Sequence, residues 1–227
     1  PWQQHQWCIP EVSAEFVAHM EDVLDVYEAP YDRCRPVVCM DESPKQLIEE
    51  TRVPIPMQPG QPARYDSEYK RNGTCTVFGF CEPKRCWREL VVTERRTMQD
   101  FAWGIKWLLD VIYPEAELVR LVLDNLNTHR PAALYETFEA PEARRLSKRL
   151  EFHYTPKHGS WLNMAEIEFS AMHTSCTNRR IPDVATLKRE LAAFVLARNH
   201  AKATINWRFT SIDARIKLKH LYPSISH

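Results

Sequence analysis

Two short apolar runs, each closed by an aspartate, restrict this chain more than any other feature. VVCM, from Val37, ends at Asp41, and LVRLVL, from Leu118, ends at Asp124. Short, mainly apolar runs of this kind read as strands buried on both faces. Such strands belong to α/β architectures in which helices cover both sides of the sheet. The carboxyl ends of those strands are where α/β sheets usually place their sites. An aspartate there is also an ordinary turn residue, so neither acid defines a site by itself.

The rest of the chain supplies the surrounding elements. After Pro10, the residues Val12, Phe16, Met20, Val23 and Tyr27 recur at spacings of three and four, the mark of an amphipathic helix. The first strand spans 37–41, and the segment from there to Asn72, rich in Pro, Gln and Arg, reads as an irregular excursion with room for a short edge strand. TCTVFGFC (74–81) and WRELVV (87–92), joined by EPKR, predict an antiparallel hairpin. Phe101, Ile105, Leu108 and Ile112 keep helical spacing up to Pro114. The strand ending at Asp124 follows, then helical pieces over 131–150, the short strand LEFHY and a helix carrying Glu166.

Asp183 caps a further helix with Leu187, Leu191 and Phe194 on one face, and TSID is a capping-box pattern that opens a last one. Strand, hairpin, helix, strand, helix, strand, helix is the element order of the ribonuclease H-like fold. The expected architecture is α/β, a five-stranded mixed sheet flanked by helices with extra helices at both termini. The expected division is a linker and N-terminal helix over 1–35, a catalytic core over 36–180, and a C-terminal helical extension of the same domain over 181–227.

The third acid lies in PKHGSWLNMAEIEFS (156–170), where a polar loop turns into a helix. Asn163 and Glu166 have capping-box spacing, which needs no metal. Glu166 and Glu168 lie about 200° apart around a helix, so only one can face the aspartates. Glu166 is nearer the loop, and Glu168 is expected at solvent or in a surface pair. Two aspartates at strand ends and a glutamate at a helix start can form an all-oxygen site for Mg²⁺ or Mn²⁺.

Charge neither supports nor forbids a polyanionic partner. Lys plus Arg equals Asp plus Glu at 30 each, although basic pairs recur at Lys70-Arg71, Arg95-Arg96, Arg144-Arg145, Lys148-Arg149 and Arg179-Arg180. Seven scattered cysteines form neither a disulfide framework nor a zinc pattern and read as reduced thiols. With no long apolar stretch or leader, the chain reads as soluble, cytoplasmic and without membrane contact. Its opening PWQQHQW reads as the interior of a longer protein.

VVCMDESPKQL, LVLDNLNTHR and HYTPKHGSWLNMAEIE resemble the three acidic motifs of DDE transposases, in the insertion sequence 630 branch of the Tc/mariner superfamily. The likeness continues through RNGT (71–74), RR (179–180) and FTSIDARIKLKHLYP. It implies a cut-and-paste transposase domain acting on transposon ends and TA-containing target DNA as a homodimer, in a bacterial cytoplasm close to the nucleoid. By that resemblance Asp41, Asp124 and Glu166 are the catalytic acids. They would hold two Mg²⁺ or Mn²⁺ ions, with Asp41 bridging, Asp124 on one and Glu166 on the other.

A nuclease of the same fold without strand transfer, and a domesticated inactive DNA-binding or assembly module, are the alternatives. Asn125, Asn127, His129, Lys157, His158 and Asn163 are candidates to face phosphates or to stand behind the ligands. His129 reads equally as a cap on the helix near Pro131, and Trp161 as a core plug. Two departures accompany the likeness. The interval between Asp124 and Glu166 exceeds that of the animal members, and no helix-turn-helix region for recognising element ends is visible.

Overall fold

A computed structural model describes residues 12–224. Five strands form one sheet in the order β3-β2-β1-β4-β5: β1 Val37–Glu50, β2 Tyr69–Glu82, β3 Trp87–Thr93, β4 Val119–Leu123 and β5 Leu150–Tyr154. β1, β2 and β3 pair antiparallel, whereas β1 with β4 and β4 with β5 pair parallel. The sheet is therefore mixed, as expected, with β1 at the junction of its two halves.

The first strand is longer than its apolar run. Instead of stopping at Asp41, β1 continues to Glu50, because β2 follows it antiparallel from Cys39↔Cys81 to Glu50↔Tyr69 with one register shift near Gln46. Parallel pairing with β4 covers only Val37–Cys39. Among the described residues no strand lies beside the second edge of β1 beyond Cys39, a position where the missing N–H of Pro44 is tolerated. The irregular excursion is confined to the residues between β1 and β2, where only isolated bridges form, Ile55↔Arg64 and Gln58↔Gln61.

Helices cover both faces. On one side α2 (Met98–Trp107), α3 (Ala132–Thr137) and α4 (Ala140–Ser147) bury Phe101, Ile105 and Leu134 against Val38, Met40, Phe78, Phe80, Leu121 and Leu123. Thr97 and Asp100 close a capping box at the start of α2. On the other side α1 (Ala14–Glu28) sets Met20, Val23 and Leu24 against Cys39, Cys81 and Val122. Ser13 caps α1, Pro10 lies outside the described residues, and Val12 is exposed ahead of the helix.

On that same side α5 (Ala165–Met172) lies on β1 and β2, and α6 (Val184–His200) lies on β3. Leu187, Leu191 and Phe194 of α6 are buried as their spacing requires, and Asp183 accepts from the Thr186 N–H at 2.7 Å. The capping box of α7 (Ser211–Lys217) forms between Thr210 and Asp213. Arg215 grips Glu21 of α1 through two bonds of 2.8 Å, which docks the C-terminal segment on the first helix. Among the described residues, no helix is long and apolar enough to cross a membrane. The six cysteines described are unbridged, and Cys8 lies outside the described residues.

Candidate active site

β1 and β4 bring the two aspartates together. The last parallel pair is Cys39↔Val122, and Asp41 and Asp124 each lie two residues further on. The two-residue alternation of a strand turns Asp41 to the face that Cys39 occupies, the face of α1 and α5, while Asp124 stands one residue past the end of β4. The third acid arrives on α5, in whose first turn Glu166 stands exposed.

α5 can lie this close because of what is missing opposite Asp41. Its cross-strand partner is Gly79, where an added Cβ would meet the Phe169 ring at 2.8 and 2.9 Å. Three residues before Phe169 is Glu166. Asn163, 1% exposed, fixes the start of the helix: its Nδ2 donates to the Met40 carbonyl at 2.9 Å and to Asp41 Oδ2 at 3.3 Å, and its Oδ1 accepts from the Ala165 N–H at 3.1 Å. The side chain thus spans from helix start to strand. A capping box with Glu166 does not form, since the Glu166 N–H goes to the Asn163 carbonyl. From behind, the Tyr27 hydroxyl of α1 holds the Leu162 carbonyl at 2.8 Å.

The charges show mutual proximity. Burial raises Asp41, a hydrogen bond from the Glu42 N–H at 2.7 Å opposes it, and the fields of Glu166 and Asp124 add to the rise, bringing the pKa to about 7. Burial and then Asp124 raise Glu166. Nevertheless, among the described residues no three acids, histidines or cysteines close into a ready-made coordination sphere. The donors of the three acids are hard carboxylate oxygens, the ligand type that suits Mg²⁺ or Mn²⁺.

His129 is neither a helix cap nor a phosphate contact. It is fully buried on the opposite side of the sheet, its ring 5.0 Å from that of Phe101. Nδ1 meets Asp124 Oδ1, and Nε2 meets Glu42 Oε1 at 2.7 Å. Burial alone would lower its pKa, but the bonds to Asp124 and Glu42 outweigh that and push it up to about 9. Glu42 escaped the sequence reading. Its signal was available: the pleat turns the residue after Asp41 to the other face, where an acid among core residues needs a partner.

The remaining candidates divide by exposure. Asn125 and Asn127 are exposed beyond Asp124, and Lys157 and His158 are exposed in the loop before Glu166, His158 with φ +64°. Trp161, expected in the core, is 44% exposed and packs edge-on against Phe209 at 5.6 Å. Glu168, expected at the surface, is 3% exposed and bonds Arg88 at 3.1 Å and Arg198 at 2.9 and 3.0 Å. Half a turn from the acids, the helix faces β3 and α6 rather than solvent.

Among the basic pairs, several are engaged within the fold. Arg145 bonds Asp110 and Glu142, Arg149 covers the carbonyls of Tyr113 and Ala116, and Arg180 bonds Glu50.

The sequence profile of the DDE superfamily endonucleases matches residues 36–188. No match was found among curated proteins. Among solved structures, a Mos1 transposase paired-end complex with the left transposon end is similar with a TM-score of 0.56 at 15% identity, over 89% of this chain and 62% of that one. The Mos1 strand transfer complex gives 0.57 at 15% over 87% and 58%, and a mariner Mos1 paired-end complex with Mg gives 0.57 at 16% over 99% and 68%. The chain thus spans about six tenths of the first of these structures, and the likeness is one of fold: the ribonuclease H-like sheet with its flanking helices.

Proposed function

The chain belongs to the DDE superfamily of endonucleases, and on that premise we propose that Asp41, Asp124 and Glu166 are its catalytic acids in a metal-dependent cleavage and joining of DNA strands. One observation carries the assignment. Asp41 lies in the fields of both other acids, raised to about 7, at the end of the parallel β1–β4 pairing. Asp41, Asp124 and Glu166 would together hold the divalent ions. Such ions, when bound, supply an activated water or 3′-hydroxyl and a stabilised leaving oxygen.

The protein's own part is positional. Asn163 ties the Glu166 helix to the strand of Asp41, Gly79 admits Phe169 beneath it, and Tyr27 supports the loop from α1. Lys157, His158, Asn125 and Asn127 are exposed on the segments flanking Glu166 and Asp124, where they can meet phosphates of a bound strand. The Mg and Mn complexes among the Mos1 structures support the choice of ion, and the paired-end complexes support transposon-end DNA as substrate; a homodimer as the working form is part of the same proposal.

Incubation with supercoiled plasmid and with a DNA duplex ending in a free 3′-hydroxyl tests the reading. Nicks and joined strands should appear with Mg²⁺ or Mn²⁺ and vanish in excess chelator. Nicks without joining would leave a nuclease, and cleavage that persists in chelator would sink the metal assignment.

A further inference from the structure

His129 is buried beside the acids and held through both its backbone and its ring. It has no exposed surface, its backbone N–H donates to the Leu126 carbonyl at 3.0 Å, and its own carbonyl accepts from the Tyr154 hydroxyl at 2.9 Å. Both ring nitrogens are committed to carboxylates, so none is left for a ligand. The chain of contacts has a direction. Its far end, the Glu42 side chain, is 3% exposed, whereas its near end, Asp124, is 32% exposed.

The connection also joins two neighbouring strand segments. Glu42 follows Asp41 on β1, and Asp124 follows β4, so His129 links the two segments that carry the candidate acids, from the face opposite to Asp41. One oxygen of Asp124 is taken by Nδ1, which sets the rotation of the carboxylate. Carboxylates that bind metals are commonly oriented by hydrogen bonds of this kind, and removing the orienting partner costs about 10- to 100-fold in metal affinity or activity.

Resting on the metal-dependent function above, we propose that Glu42 and His129 are positioning residues: Glu42 holds His129, and His129 engages one oxygen of Asp124 and presents the other to a divalent cation. Neither touches the reacting atoms.

The test is Mn²⁺ binding to the whole chain by calorimetry, with circular dichroism and thermal melting of each variant as the control for folding. The wild-type protein should bind Mn²⁺ and Asp124→Asn should not. His129→Ala should bind about 10- to 100-fold more weakly. His129→Asn should recover part of the loss, because its amide can donate near the Nδ1 position without reaching Glu42. Glu42→Ala should weaken binding, and Glu42→Gln, which keeps an acceptor for Nε2, should do so less. Unchanged affinity in folded His129→Ala overturns the proposal and leaves the metal reading standing. If that variant does not fold, unchanged affinity in both His129→Asn and Glu42→Ala overturns it equally. Absence of Mn²⁺ binding by the wild-type protein overturns the metal reading itself and this proposal with it.

Discussion

Glu168 of α5 and Arg88 of β3 form an ion pair at 3.1 Å with both side chains almost wholly buried, one helical half-turn from the exposed Glu166. Arg198 closes on the same carboxylate, and Asn199 holds the Arg88 backbone from both sides. The helix that presents Glu166 to the aspartates is therefore held in rotation from its opposite face. Removing one partner leaves a buried charge uncompensated, so Glu168→Ala should lose about 3–5 kcal/mol in urea unfolding. A loss under about 1 kcal/mol would show that the pair is not holding the helix.

Neutral isosteres at the acids should separate chemistry from folding. Asp41→Asn, Asp124→Asn and Glu166→Gln should each reduce metal-dependent nicking by on the order of a thousandfold, since metal stabilisation of the transition state amounts to several kcal/mol. Melting temperatures should stay close to wild type. Nicking by Glu166→Gln at the wild-type rate would remove that residue from the site.

Gly79→Ala tests the seat of α5. The new Cβ would sit at 2.8 Å from the Phe169 ring, directly across from Asp41. Overpacking of this kind costs about 1–3 kcal/mol. Nicking should fall as well, because the helix carrying Glu166 is displaced, and Phe169→Leu in the same chain should restore part of both. Full activity in Gly79→Ala alone would show that the close approach is not needed.

DNA binding by this chain should be weak, indifferent to sequence and steep in salt. The charge is balanced, and Arg145, Arg149 and Arg180 of the clustered cations are spent within the fold. With about three phosphate contacts, affinity should fall roughly 10- to 100-fold between about 50 and about 200 mM salt. Tight binding to one end sequence at the higher salt, measured by fluorescence anisotropy, would reveal a recognition element elsewhere.

Acid should loosen α2 from α4. Arg145, together with Lys106, holds Asp110 and Glu142 down to about 2, below ordinary carboxylates. Carboxylates lowered in the folded state stabilise it above their unfolded pKa, and that contribution is lost as pH falls from about 4 to about 2. The melting temperature should drop across that window, and less in Asp110→Asn. An identical drop in the variant would place the acid sensitivity elsewhere.

Local pattern was sufficient for much of the molecule. Apolar runs marked β1 and β4 because strands buried on both faces leave no polar alternation, and the spacing of Phe16, Met20 and Val23 or Leu187 and Leu191 marked helices because one face of each must be dry. Capping residues Asp183 and Thr210 acted within three positions of themselves, so they too were legible. What tertiary structure alone decided is which residues meet across the sheet. β2 drew β1 past Asp41 to Glu50, His129 reached Glu42 rather than a helix start, and Glu168 found Arg88 and Arg198 instead of water. Each of those outcomes depends on a partner many residues away. A charge's local sequence carries its spacing and its face, but whether that face meets solvent, a cation or another acid is set only when the elements pack.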